Sequence, residues 1–200
     1  MKVLIVTGGI GSGKSSACRF LEKEYGWPVY CADSKVKELY VTSPSLLDSI
    51  EAELGGKFRD DNGVFTPQLL ASVIFSDPQA LRKVEDLVFP ELTRDFETWK
   101  AEHADCSHLI LESATILEKP ALRHLGDVMV LIDAPVDVRL SRTSLRDGVT
   151  EEAVRSRMDK QPLMNNISEG KVKADVDYVV INDSTEVELQ QKLMKIAEML

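Results

Sequence analysis

A three-layer α/β fold built on a five-stranded parallel sheet is expected for this chain, on two observations. Five short apolar runs rich in β-branched residues, at 3–6, 27–32, 108–111, 127–132 and 177–181, are spread along the 200 residues with helical stretches between them. Runs that are apolar at successive rather than alternate positions belong to strands buried on both faces, and a strand–helix–strand succession makes the strands parallel. The second observation concerns the residues at the carboxyl ends of the runs: a glycine-rich turn after the first, then Asp33, Glu112 and Asp133 directly after the second, third and fourth. In a parallel open sheet the carboxyl ends of the strands share one edge, and ligands bind along it.

The turn after the first run reads Gly8-Gly9-Ile10-Gly11-Ser12-Gly13-Lys14-Ser15, the G-x-x-x-x-G-K-[ST] spacing of a P-loop. Glycines let the backbone bend around an anion and turn successive N–H groups toward it. A helix starting at Lys14 adds the positive end of its dipole. That helix is marked by Ala17, Cys18, Phe20, Leu21 and Tyr25 at helical spacing, with Gly26 to stop it. Gly11, Ser12, Gly13 and Lys14 are thus expected to hold a nucleotide di- or triphosphate, with Lys14 on the β- and γ-phosphates. The Ser15 hydroxyl is expected on Mg²⁺ and Ser16 near the α-phosphate. The fold expectation becomes a P-loop NTPase or kinase, with a nucleotide phosphate and Mg²⁺ as the implied ligands.

The remaining elements come in order. Residues 34–54 carry helical apolar spacing interrupted near Pro44, closed by Gly55-Gly56. Residues 59–63 have the composition of a surface turn. Thr66-Pro67 and Asp77-Pro78 each pair a capping residue with proline at the first helical position. Val84, Leu87, Val88, Leu92, Phe96 and Trp99 then mark a long amphipathic helix to about residue 102, with Pro90 as a possible bend. After the fourth strand, helices are expected over 135–145 and 150–161. Ser184 is expected to cap a closing helix whose inward face is Leu189, Leu193, Ile196 and Leu200. The chain therefore reads as a single domain, with a core of 1–33 and 106–200, a helical insertion of about 34–105, and a helical lid of about 139–162.

Composition limits the partners. A hydrophobic share of 44%, a charged share of 28% and a length of 200 residues suit one globular domain. The net charge of −9 argues against nucleic acid or an anionic membrane as partner. There is no apolar run of membrane-spanning length, and Met1-Lys2 leads straight into the first strand, so a cytoplasmic location is expected. Cys18, Cys31 and Cys106 form no C-x-x-C pair and read as reduced thiols. Oligomeric state is not legible.

A hydroxyl kinase needs positioning, neutralisation of phosphate charge and a carboxylate for the acceptor proton. Asp33 is the candidate for that carboxylate, and by position it is equally a helix N-cap. Glu112 or Asp133 could assist Mg²⁺ through water, or could instead cap a helix or pair with a basic residue. Arg142 and Arg146 are read as lid groups that neutralise phosphate charge. Arg139, Arg155 and Arg157 are read as a solvated face with ion pairs to Asp137, Asp147 or Glu152.

Taken together these residues resemble the dephospho-CoA kinase family nearly end to end. The likeness is carried by Thr7 to Ser15, Ala32-Asp33, Asp61-x-Gly63, Phe75-x-Asp77-Pro78, the stretch Arg142-Thr143-x-x-Arg146-Asp147-Gly148-Val149-Thr150, Arg157-Met158-x-x-Gln161 and the run from Asp177 to Asn182. The resemblance implies transfer of the ATP γ-phosphoryl group to the 3′-hydroxyl of the ribose of dephospho-CoA. Asp33 would be the base, Arg142 a lid arginine on the nucleotide phosphates, Asn182 near the adenine end, and the insertion the holder of the acceptor. The chain departs from the family pattern at Cys31, where an acid is usual, at Phe89-Pro90, at 113–118 and beyond Gln161. The alternatives are another small-molecule kinase of the nucleoside or nucleotide type, and a nucleotide-switched binding protein. Against the second, no D-x-x-G directly succeeds any of the five strands and N-K-x-D is absent.

Overall fold

The computed structural model describes residues 1–200. They divide into two compact units, one of residues 1–31 and 103–200 and the other of residues 32–102.

The first unit holds the sheet. Its strands are β1 (Lys2–Thr7), β2 (Val29–Cys31), β3 (His108–Glu112), β4 (Val128–Asp133) and β5 (Tyr178–Ile181), in the order β2-β3-β1-β4-β5. Every neighbouring pair is parallel. The register aligns Val6 with Glu112 and Val130, Cys31 with Glu112, and Asp133 with Ile181, so the carboxyl ends of the strands lie side by side. Leu4, Val6, Ile110, Val130, Ile132 and Val180 pack on one face against Ala17, Cys18 and Leu21 of α1 (Lys14–Tyr25) and Leu189, Leu193 and Ile196. Residues of alternate parity, Val3, Ile5, Leu109, Leu111, Met129 and Leu131, are buried as well. Burial of both faces is what makes the strands read as continuous apolar runs.

The second unit consists of α2 (Ala32–Thr42), α3 (Pro44–Leu54), α4 (Pro67–Ile74) and α5 (Pro78–Glu102). Its core is Leu46, Leu47, Ile50, Phe58, Leu70, Val84 and Val88. The break at Pro44 occurs where expected, with Gly55 closing α3 in a left-handed conformation. Asp77 accepts a hydrogen bond from the Gln79 N–H at 2.8 Å, capping α5, which continues through Pro90. Thr66 precedes α4 but its side chain makes no capping bond; its hydroxyl turns back to the Val64 carbonyl at 3.4 Å.

After β4 come α6 (Val136–Asp147), α7 (Glu151–Met158), α8 (Pro162–Ser168) and, beyond β5, α9 (Glu186–Ala197). Four expectations are corrected here. Helix α8 and a 3₁₀ turn at Pro120–Leu125 have no counterpart in the sequence reading. The expected helix over 150–161 ends at Met158, and Pro162 starts a new one. The cap of α9 is Thr185, whose hydroxyl accepts from the Glu188 N–H, not Ser184. Strand β2 is only three residues long, because α2 begins at Ala32 directly after Cys31.

Candidate active site

The P-loop runs from the end of β1 to the start of α1. Gly13, at φ +99°, makes the turn into the helix in a backbone region that L side chains rarely adopt, and a Cβ there would collide with the Asn182 amide. Four backbone N–H groups in and just after the loop are paired. The Ile10 N–H donates to Gln161 Oε1, the Ser12 N–H to the Gly9 carbonyl, and the Ser16 and Ala17 N–H groups to the Gly13 carbonyl. The N–H groups of Gly11, Gly13, Lys14 and Ser15 have no acceptor in the protein. These four residues line a cleft of about 200 Å³ together with Gly9, Ser16, Arg19, Arg142 and Arg146. Unpaired amides at a helix N-terminus, with a lysine and three arginines around them, are a receptor for phosphate.

Glu112, the last residue of β3, is the acidic group the P-loop uses. Its Oε1 accepts from the Ser15 hydroxyl at 2.7 Å and lies 3.8 Å from Lys14 Nζ. Asp133, at the end of β4, is committed elsewhere: Oδ1 accepts from the Ala134 N–H at 2.9 Å and from the Ser168 hydroxyl at 2.6 Å. Of the two acids left open by the sequence, Glu112 alone meets Ser15. No group of three or more His, Cys, Asp or Glu side chains is spaced to hold a metal. The Ser15–Glu112 pair of oxygens is the donor set that suits Mg²⁺, which characteristically takes one or two protein oxygens and completes its shell with phosphate and water.

Asn182 links three parts of the site. Its N–H donates to the Asp133 carbonyl at 2.6 Å, its side-chain amide donates to the Ser12 carbonyl at 2.8 Å, and its own carbonyl accepts from Arg142 Nη1 at 2.9 Å. Beside it lies a second hollow of about 190 Å³, lined by Gly13, Ser16, Arg142, Asn182, Ser184 and Glu186 with Leu189. The Ser16 hydroxyl accepts from Arg19 Nη2 at 3.1 Å.

The arginines divide differently from the sequence reading. Arg146 lines the cleft but is paired with Asp147 through Nε at 2.7 Å and Nη2 at 3.2 Å. Arg157 also reaches Asp147, at 2.7 Å, the expected solvated pairing. The Arg146 and Arg157 guanidiniums hold the Asp147 carboxyl below its usual range. Arg155 is exposed. Arg139, read as a solvated residue, is instead 0% exposed. Its Nε donates to the Ile10 carbonyl at 2.8 Å and its Nη1 to Ser168 at 3.0 Å. The start of α6 is therefore fixed against the P-loop, and a lid beginning at 139 would begin on an anchored residue. The signal that could have found Arg139 was its spacing: it lies three residues after Val136 and four before the buried Thr143, on the inward face of α6.

Asp33 does not follow the strand as a free cap. It is the second residue of α2, in its first turn, where a carboxylate is favoured by the helix dipole. It stands two residues beyond Cys31, the β2 residue paired in register with Glu112.

A protein-family model described as dephospho-CoA kinase matches residues 2–188. The chain belongs to the dephospho-CoA kinase family. Among curated relatives, the dephospho-CoA kinase of Porphyromonas gingivalis is 35% identical over 177 residues, 88% of this chain and 84% of that one. The dephospho-CoA kinase of Salinibacter ruber is 31% identical over 194 residues, 96% and 94% of the two chains. A crystal structure of a Thermus thermophilus protein superposes with a TM-score of 0.81 at 25% identity, covering 100% of this chain and 97% of that one. A shikimate kinase from Acinetobacter baumannii, at TM-score 0.51 and 17% identity over 100% and 94% of the chains, shares the fold. Membership of the dephospho-CoA kinase family agrees with a cleft built for phosphate. No helix is long and apolar enough to cross a membrane.

Proposed function

We propose that the chain is a dephospho-CoA kinase that transfers the γ-phosphoryl group of ATP to the 3′-hydroxyl of the ribose of dephospho-CoA. The observation that carries the nucleotide half is the cluster of four acceptor-less amides, on Gly11, Gly13, Lys14 and Ser15, lining one cleft with Lys14, Arg142 and Arg146. Family membership carries the acceptor half.

The triphosphate is gripped by those amides, with Lys14 on its β- and γ-oxygens and Arg142 neutralising charge as the phosphoryl group moves. Ser15 and Glu112 are the residues that would hold Mg²⁺, which when bound neutralises phosphate charge. The hollow beside Asn182 is the place for the nucleoside end. Asp33 takes the acceptor proton as the 3′-oxygen forms its bond to the γ-phosphorus and the bond to the β,γ-bridging oxygen breaks, releasing ADP. The helical insertion, about residues 34–105, binds the acceptor, the lid of about 139–162 that carries Arg142 and Arg146 covers the nucleotide, and the enzyme works in the cytoplasm.

The test is acceptor competition. With ATP and Mg²⁺, kcat/KM for dephospho-CoA should exceed that for adenosine, nucleoside monophosphates and shikimate by about a thousandfold or more, as a site built around one acceptor's polar groups discriminates. Equal or better use of any of the others refutes the assignment.

A further inference from the structure

We infer that Arg139 is a positioning residue of the nucleotide site: working with Gln161, it sets the backbone of Ile10 so that the neighbouring loop amides face the phosphate. The inference rests on the ATP-binding part of the reading above and is independent of which acceptor is used.

Ile10 is held from both sides. Its N–H donates to Gln161 Oε1 at 3.0 Å and its carbonyl accepts from Arg139 Nε at 2.8 Å. These groups belong to the two peptide planes that flank the Ile10 Cα, so holding both fixes φ and ψ of that residue. The second plane matters more. In a trans peptide the C=O and the following N–H point in opposite directions, and the N–H following the Ile10 carbonyl is that of Gly11. With the carbonyl drawn to the buried guanidinium, the Gly11 N–H is turned the other way. Gly11 lines the cleft and its N–H has no acceptor in the protein. Arg139 thus dictates the direction of a phosphate-facing amide without touching the phosphate.

Arg139 is itself fixed. Its Nη1 donates to the Ser168 hydroxyl at 3.0 Å, and that hydroxyl donates to Asp133 Oδ1 at 2.6 Å, so the guanidinium is tied through α8 to the end of β4. Gly9 leaves the space: a Cβ there would collide with Nη2 and Cζ of the guanidinium. The arrangement is not one that stability alone selects. The side chain is fully buried, Nη2 has no hydrogen-bond partner, and burial pushes the guanidinium's affinity for its proton down, with only Asp133 opposing. A buried cation with an unpaired guanidinium nitrogen is costly to the fold. The cost is explained by what the Nε does to the loop.

The experiment measures ATP affinity by calorimetry without acceptor, then steady-state constants and thermal midpoint, for Arg139→Met, Arg139→Lys and Ser168→Ala. Arg139→Met should weaken ATP binding by about tenfold or more and raise the KM for ATP in step. The acceptor KM should stay unchanged, because the charge-assisted bond that is lost orients only the phosphate-facing loop; the thermal midpoint should fall, since the Ile10 carbonyl, Ser168 and Asp133 lose their buried cation. Arg139→Lys, which can still donate to the Ile10 carbonyl, should recover most of the loss. Wild-type ATP affinity in Arg139→Met, or a lower kcat with both KM values unchanged, would overturn the inference and leave Arg139 a packing residue. Should Arg139→Met not fold, Ser168→Ala decides: the loosened guanidinium should weaken ATP binding by about threefold, and no change refutes the role. Wild-type protein that binds ATP yet ignores dephospho-CoA would refute the assigned acceptor and leave this inference standing.

Discussion

Replacing Glu112 by Gln should have opposite effects on ATP affinity with and without Mg²⁺. The carboxylate has two partners: it accepts from Ser15 at 2.7 Å and sits 3.8 Å from Lys14 Nζ, with side-chain exposures of 9% for Glu112 and 17% for Lys14. At an effective dielectric near 20, a charge pair at that distance interacts by about 4 kcal/mol. Desolvation offsets much of this, and close charge pairs that are net favourable show couplings from about 1.5 kcal/mol upward. Without metal, Glu112 competes with the phosphates for Lys14, so Glu112→Gln should tighten ATP binding by about tenfold in EDTA. With Mg²⁺, the variant lacks the anionic oxygen beside Ser15 and should bind ATP about tenfold more weakly than wild type. Calorimetric titration of ATP in EDTA and in Mg²⁺ reads both signs. Equal weakening in the two buffers, or no change in either, would refute the assignment of Glu112 as the acid shared by lysine and metal.

Three further outcomes are expected. Asp33→Asn should lower turnover with dephospho-CoA about a hundredfold while leaving ATP affinity within about twofold of wild type, since only the acceptor's proton path is altered; initial rates and a binding titration separate the two. Gly13→Ala should abolish measurable ATP binding at millimolar nucleotide, because φ +99° and the collision with the Asn182 amide both oppose a side chain; wild-type affinity in a binding titration would contradict this. Burial pushes the Tyr40 phenol up to about 12. The unfolded phenol, near 10, loses its proton first, so this contribution to stability is whole below pH 10 and is lost as pH rises through 12. Urea unfolding at pH 9 and 11 should show a decline that is smaller in Tyr40→Phe.

How much of this was readable in the chain depends on what each residue does locally. The strands were legible because β1, β3 and β4 are buried on both faces and so carry no polar interruption. The P-loop was legible because its chemistry depends on backbone geometry that only glycine supplies. Helix α8 was not, because Leu163-Met164-Asn165-Asn166 offers one buried residue, Met164, and two asparagines that read as turn formers. Arg139 was misread for a general reason: arginine is almost never fully buried, so composition argues for the surface, and only the spacing of Val136, Arg139 and Thr143 points inward. Glu112 and Asp133 were indistinguishable as acids at strand ends. Their difference lies in long-range partners, Ser15 for one and Ser168 for the other, which no local pattern encodes.

The most direct test tracks the phosphorus atom. With ATP labelled in its γ-phosphoryl group, Mg²⁺ and dephospho-CoA, the label should appear on the ribose 3′-oxygen of the acceptor, with one ADP formed per label transferred. Label released as inorganic phosphate at the same rate with and without dephospho-CoA would contradict the account at its centre.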